Sequence, residues 1–187
     1  MPRNNQRLVL VTQNEHKLKE LIPLFGRYDV EFETSSLEKK EVRSQSVEVI
    51  ARKAAKFAYD SLKCPVVLDD TGFYIDYLNG FPGAYAAFVF DTVGTAGILK
   101  LMEDTTNRNA RFVTCVGYYN GEQTKTFKGV MEGRIGTKEA GGRGFGYDPI
   151  FIPEGFERTY AQLGFSQKVK ISHRTRAFTQ FLDWYTT

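Results

Sequence analysis

From residue 8 onward the chain alternates short apolar runs with stretches whose apolar side chains recur every three or four positions. Residues 8–12, "LVLVT", are apolar and rich in β-branched side chains, which predicts a buried strand. Leu18, Leu21, Ile22 and Phe25 then follow the i, i+3, i+4, i+7 spacing of an amphipathic helix, with Gly26 as its stop. "YDVEFE" (28–33) predicts a second strand, and a polar stretch (34–46) leads to a second helix carrying Val47, Ile50, Ala54, Phe57 and Ala58, ended by Cys64-Pro65. The apolar residues 65–68 open a further strand that runs into "DDTGFYID". After the turn signals of "NGFPGAY" come a short helix (95–103) and an alternating strand (110–119). Asn120-Gly121 predicts a type I′ hairpin with a return strand over 123–135. A glycine-rich loop, "EAGGRGFGYDPIF", precedes a closing helix with Phe178, Phe181, Leu182 and Tyr185 on one face. Strands interleaved with helices and then a hairpin predict a mixed α/β sheet.

Length changes this picture little: 187 residues suit a single domain over 1–187. No apolar run approaches the length of a bilayer span, so no membrane association is expected. The net charge of +3 is too small for a nucleic-acid coat, yet it tolerates an anionic small-molecule substrate. Cys64 and Cys115 form no CxxC pair and the first residues carry no signal-like apolar run, so a reducing cytoplasm is expected.

Three stretches hold more polar chemistry than packing requires. In "VTQNEHK" (11–17) a strand hands over to a helix with Asn14 as candidate N-cap. Backbone N–H groups at a helix start attract phosphate, and Lys17 adds a cation where the helix dipole disfavours one. The alternative is an ordinary capped helix with a solvated lysine. The P-loop pattern GxxxxGK[ST] is absent. Asp69 and Asp70 stand where a buried strand emerges, the place where open α/β sheets present ligand-binding groups. Neighbouring strand residues face opposite ways, so both acids can serve one site only if Thr71-Gly72 turns the backbone at once. A carboxylate there suits Mg²⁺, which takes one or two carboxylates plus substrate phosphates; an Asx-type turn is the alternative. In "GGRGFGYDP" (141–149) Phe145 and Tyr147 offer faces for a flat heterocycle, the glycines permit close backbone approach, and Pro149 narrows the conformations open to Asp148. A flexible loop is the alternative there. "SHR" (172–174) places His173 at the start of the last helix, with Ser172 as candidate N-cap.

Taken in order, Thr12-Gln13-Asn14-Glu15-His16-Lys17, Asp69-Asp70-Thr71-Gly72, Phe81-Pro82-Gly83, Phe145-Gly146-Tyr147-Asp148-Pro149 and Ser172-His173-Arg174 resemble the inosine triphosphate pyrophosphatases, also called XTP/dITP diphosphatases. The resemblance spans nearly the whole chain. It implies an elongated mixed β-sheet flanked by helices, two lobes with an active-site cleft between them, and a homodimer. It also implies Mg²⁺-dependent hydrolysis of noncanonical purine nucleoside triphosphates (ITP, dITP, XTP) to the monophosphate and pyrophosphate. By the same resemblance, residues 12–17 cradle the triphosphate, Asp70 is metal ligand and water activator, Lys17 is catalytic and Thr71 contacts substrate. Glu41 looks like the second metal carboxylate, Lys53 like a phosphate-facing lysine and Asp69 like an auxiliary acid. Phe145, Gly146, Tyr147 and Asp148, with Lys168, His173 and Arg174, correspond to base-binding positions.

The chain departs from the family pattern at Gln13, where glycine is frequent. It also departs at Ala86 and Ala87, where some members carry a basic residue, and at Thr175, where glycine is common. Selectivity has its own logic. Hypoxanthine and xanthine present an acceptor oxygen at C6 where adenine presents an amine, so a pocket of donors leaves ATP's amine facing donors. That logic alone does not exclude guanine. The alternatives to this reading are a pyrophosphatase for other modified or pyrimidine nucleotides, a nucleotide-binding module without catalysis, and an RNA-binding protein. The last lacks an RNP-like strand and a basic surface.

Overall fold

The computed structural model describes residues 7–38, 42–142 and 144–187. The chain divides into two compact units. The first comprises Met1–Asp70, Cys115–Lys128 and Ala177–Thr187; the second comprises Thr71–Thr114 and Gly129–Arg176. Among the described residues no helix is long and apolar enough to cross a membrane.

In the first unit, strand β1 (Val9–Val11) leads to helix α1 (Glu15–Arg27), strand β2 (Glu33–Ser35) and helix α2 (Val47–Leu62). β1 lies parallel to β2 and to the start of β3 (Val66–Ile75), with Val9 opposite both Glu33 and Val66. The β-branched run thus becomes a fully buried strand, as parallel pairing requires. Gly26 does not stop α1 but lies inside it; the helix closes at Tyr28, before Asp29 in a left-handed conformation (φ 53°). Of residues 28–32, expected to be extended, the first two form that turn and the rest lie outside any strand, so β2 begins only at Glu33. Ser46 caps α2 by accepting from the Val49 N–H, and Lys63 (φ 55°) ends it ahead of Pro65. The core joins Leu8, Leu10, Leu21, Leu24 and Phe25 to Val67, Val116 and Tyr118. It is closed by Phe178, Phe181 and Leu182 of helix α7 (His173–Tyr185).

The second unit holds the continuation of β3, the two-residue strand β4 (Pro82–Gly83), helices α3 (Ala86–Thr92) and α4 (Gly94–Leu101), strand β7 (Phe151–Pro153), and helices α5 (Tyr160–Leu163) and α6 (Phe165–Ile171). β4 runs antiparallel to β3, with Phe73 opposite Gly83. β7 runs antiparallel to β6 (Thr124–Ile135), with Ile135 opposite Phe151. Its core is aromatic: the Phe73 ring stacks on Phe112 (4.4 Å) and on Tyr147 (4.5 Å). Arg108 donates to the carbonyls of Met102, Ile135 and Gly136, tying the end of α4 to the end of β6.

The hydrogen-bonded order among the described strands is β2-β1-β3-β5-β6-β7, with β5 covering Asn109–Tyr119 and β4 paired to β3 off this path. The sheet is mixed, as the sequence predicts. The β5–β6 hairpin is present, but its connection has four residues rather than a two-residue type I′ turn. Gly121 alone has positive φ there, whereas type I′ needs it at both central positions. Asn120 instead accepts from the N–H groups of Glu122 and Gln123 through its side chain.

Gly117 shows how tightly a helix lies on this sheet. A Cβ at that position would meet the Ala51 carbonyl oxygen of α2 at 2.5 Å and its carbon at 2.8 Å. Backbone cannot give way as a flexible side chain does. Gly117→Ala is therefore expected to lower stability by about 1–3 kcal/mol. Gly142→Ala, with nothing within 4 Å of the added carbon, should stay within about 0.5 kcal/mol of the parent. Urea unfolding of the two variants checks the contrast.

Candidate active site

β1 ends at Val11, and Thr12, buried at the strand's exit, bonds through its N–H to the Ser35 carbonyl. Its hydroxyl accepts the Asn14 N–H at 3.1 Å, which bends the chain into α1. The Asn14 side chain then caps the helix by accepting from the N–H groups of His16 (2.9 Å) and Lys17 (3.3 Å). Two of the N–H groups expected to await phosphate are thus engaged by the cap. Gln13 sends its side-chain amide to the Ser36 carbonyl at 2.7 Å and so anchors the loop to the segment after β2. Glu15 and His16 are exposed on the first turn, and Lys53 is exposed on α2.

Lys17 of this helix turns inward. Lys17 Nζ lies 2.8 Å from Asp69 Oδ2 and 3.5 Å from the Asp69 carbonyl, while the Asp69 side chain is 1% exposed. No turn occurs at Thr71-Gly72, because β3 continues unbroken from Val66 to Ile75. Strand alternation therefore sends Asp69 and Asp70 to opposite faces, and the two acids do not converge on one site. Asp69 is given over to Lys17; Asp70 is left half-buried on the other face. Glu41, the expected second metal carboxylate, lies outside the described residues. Among the described residues no group of three or more His, Cys, Asp or Glu side chains gathers. A site centred on the Asp70 carboxylate suits a hard cation that draws its other oxygens from substrate phosphates.

In the second unit the glycine-rich loop is not slack. A Cβ on Gly141 (φ 94°) would meet Ala161 at 2.7 Å, and one on Gly144 would meet Asp148 at 2.7 Å and Ala161 at 3.0 Å. These glycines let the loop pack on α5, a structural purpose the sequence did not separate from ligand approach. Thr159 and Gln162 cap α5 reciprocally, and the Thr159 hydroxyl donates to the Ala140 carbonyl. Asp148, buried, accepts the Phe145 N–H at 2.9 Å and pairs with the buried Lys168 Nζ at 2.6 Å. This ion pair fixes the loop to α6, and Phe145 is 40% exposed beside Gly146. Tyr147 departs from the expected stacking face. Its ring lies inside the core against Phe73, and its hydroxyl donates to the Ala86 carbonyl at 2.8 Å. Burial, and then the charge of Asp91, hold that hydroxyl's pKa well above the ordinary tyrosine value.

Ser172 caps α7 by accepting the Thr175 N–H, so His173 and Arg174 occupy its first two positions, both buried. His173 Nδ1 lies 2.7 Å from Thr114 Oγ1, and Thr114 Oγ1 lies 2.7 Å from Thr71 Oγ1. The imidazole stacks on Phe112 at 4.8 Å, with 18° between the planes. The sequence reading missed Thr114. Its only signal is a lone hydroxyl within the otherwise apolar "FVTCV" run of β5.

Residues 8–184 match the model of the Ham1 family. A protein of Methanopyrus kandleri named dITP/XTP pyrophosphatase is 47% identical over 180 residues, which is 96% of each chain. One of the same name from Saccharolobus solfataricus is 40% identical over 184 residues, 98% of this chain and 96% of its own. The solved HAM1 protein from Coxiella burnetii superposes with a TM-score of 0.88 at 29% identity, covering 97% of this chain and 98% of that one. The nucleoside-triphosphatase / dITP/XTP pyrophosphatase from Mycobacterium abscessus gives 0.76 at 32%, covering 94% and 97%. With nearly every residue inside these matches, and the fold shared end to end, the chain belongs to the Ham1 family.

Proposed function

We propose that this protein hydrolyses noncanonical purine nucleoside triphosphates, dITP, ITP and XTP, to the monophosphate and pyrophosphate. The observation that carries the reading is the end-to-end match to relatives named for that activity. The arrangement of Lys17, Asp69 and Asp70 supports the chemistry. A triphosphate bears about four negative charges that repel an attacking water, so catalysis rests on neutralising charge and holding the water in line with the bond that breaks. Lys17, steadied by Asp69 at 2.8 Å, supplies fixed positive charge. Asp70, on the opposite face of β3 from Asp69, orients the water and accepts its proton at the carboxylate as oxygen attacks the α-phosphorus. Thr12, with residues 13–16 of the loop, and Lys53 serve the phosphates. Magnesium fits this donor set, with Asp70 and Glu41 as its protein ligands, and when bound it supplies further neutralisation of the phosphate oxygens.

For the base, the exposed Phe145 ring offers a stacking face, while His173, Arg174 and loop N–H groups around Gly146 are the donors that a C6 oxygen would accept from. Asp148 and Lys168 serve as the paired support of that loop. Thr71 acts beside Asp70. The resemblance also supports a homodimer working in the cytoplasm. A pyrophosphatase for pyrimidine or other modified nucleotides is the competing reading, and a substrate panel separates the two.

Phosphate released after adding inorganic pyrophosphatase should show turnover of dITP and XTP far above dATP and dCTP. Asp70→Asn is expected to lower dITP turnover by about a thousandfold with an unchanged melting temperature; near-parent activity would remove Asp70 from the chemistry. Lys17→Met is expected to lose activity and also about 3–5 kcal/mol of stability, because it leaves the Asp69 charge buried without its lysine. The double variant Lys17→Met/Asp69→Asn should regain much of the stability and none of the activity, as read by urea unfolding beside the same release assay.

A further inference from the structure

We infer that the Gln13 side chain is a positioning residue for the phosphate end of the substrate: its amide adds a rung beyond the β1–β2 ladder and so fixes the backbone of the loop that receives the anion. The inference rests on reading residues 12–17 as the phosphate cradle. β1 and β2 pair from Val9 opposite Glu33 to Val11 opposite Ser35, and the Thr12 N–H carries the ladder one step further by donating to the Ser35 carbonyl at 3.0 Å. Beyond it the two segments would part, because Asn14 turns the chain into α1. Gln13 Nε2 instead donates to the Ser36 carbonyl at 2.7 Å. A carbonyl only accepts, so its partner chemistry sets which end of the side-chain amide faces Ser36. The side chain thus stands in for the backbone N–H that a longer parallel strand would supply.

The tie bears on the donors that an incoming phosphate can use. Among the N–H groups of residues 12–17, that of Thr12 goes to Ser35, that of Asn14 to the Thr12 hydroxyl, and those of His16 and Lys17 to the Asn14 side chain. Gln13 and Glu15 carry the N–H groups that are not engaged in this way among the described residues. Pinning the Gln13 side chain holds the peptide that carries the first of these, and sets the direction from which Glu15 enters the first turn of α1 with the second. Gln13 is exposed, and one exposed hydrogen bond contributes little to the fold. Its effect is on the direction of the loop donors, which bind an anion more tightly when they need not be ordered first. Gln13 therefore acts on the phosphates through the backbone that its side chain anchors.

Gln13→Leu removes the amide and keeps a side chain of similar bulk. KM for dITP should rise about three- to tenfold while kcat moves less than about twofold, the pattern of binding lost equally from ground and transition states. Calorimetry with inorganic pyrophosphate in the presence of Mg²⁺ should show affinity lower by a similar factor, and the ratio of kcat/KM for dITP over dATP should stay as in the parent, because the tie serves phosphate and not base. In the wild type, ¹H–¹⁵N NMR should show the Gln13 side-chain amide protons exchanging more slowly than those of the exposed Gln45. Unchanged KM and pyrophosphate affinity in Gln13→Leu overturn the proposal, and so does a Gln13 amide that exchanges as fast as that of Gln45. A change in dITP-over-dATP selectivity with pyrophosphate affinity intact also overturns it, by assigning Gln13 to the base. A wild type that binds pyrophosphate but does not turn over dITP contradicts the pyrophosphatase reading instead, and the calorimetric comparison still decides the role of Gln13.

Discussion

The side-chain alternation of one unbroken strand governs the chemistry assigned to this protein. β3 carries Asp69 and Asp70 as neighbours, and because it runs on to Ile75 without a turn, the two carboxylates face opposite ways. Two acids on one face would repel each other and contest the same cation. Divided, one becomes the buried anchor of Lys17, and the other is the carboxylate to which the proposed mechanism gives metal and water. On the proposed mechanism, the adjacency that looks redundant in the sequence is a division of labour.

The same economy recurs in the side chains around it. Lys17 on Asp69 and Lys168 on Asp148 are both pairs in which burial makes the loss of one partner costly, so each fixes a segment that would otherwise wander. The first holds a helix start against β3; the second holds the glycine-rich loop against α6. The hydroxyls of Thr71 and Thr114 lie in line with His173 Nδ1, each 2.7 Å from the next polar atom. Preorganisation of this kind keeps polar groups in place before substrate arrives.

Much of the architecture was legible from periodicity. The buried strand at residue 9, α1, α2, the β5–β6 hairpin and α7 follow from apolar spacing. What escaped was short or locally overruled. α3, β7, α5 and α6 are too brief for a periodic signal, and Gly26 sits within α1 because the turn that ends the helix needs Asp29, not a glycine, in the left-handed region. At the site, motif order pointed to Lys17, Asp70 and His173. It could not tell that the Tyr147 ring serves the core, or that Gly141 and Gly144 serve packing on Ala161, because both roles depend on partners distant in sequence. Thr114 was hidden for the same reason.

The division between the two acids can be tested through metal binding itself. Mn²⁺ binding, followed by electron paramagnetic resonance in the presence of an α,β-methylene analogue of dITP, should fall at least about tenfold in Asp70→Asn and change little in Asp69→Asn. Equal losses in the two variants would mean that both carboxylates grip the same ion, and would contradict the account.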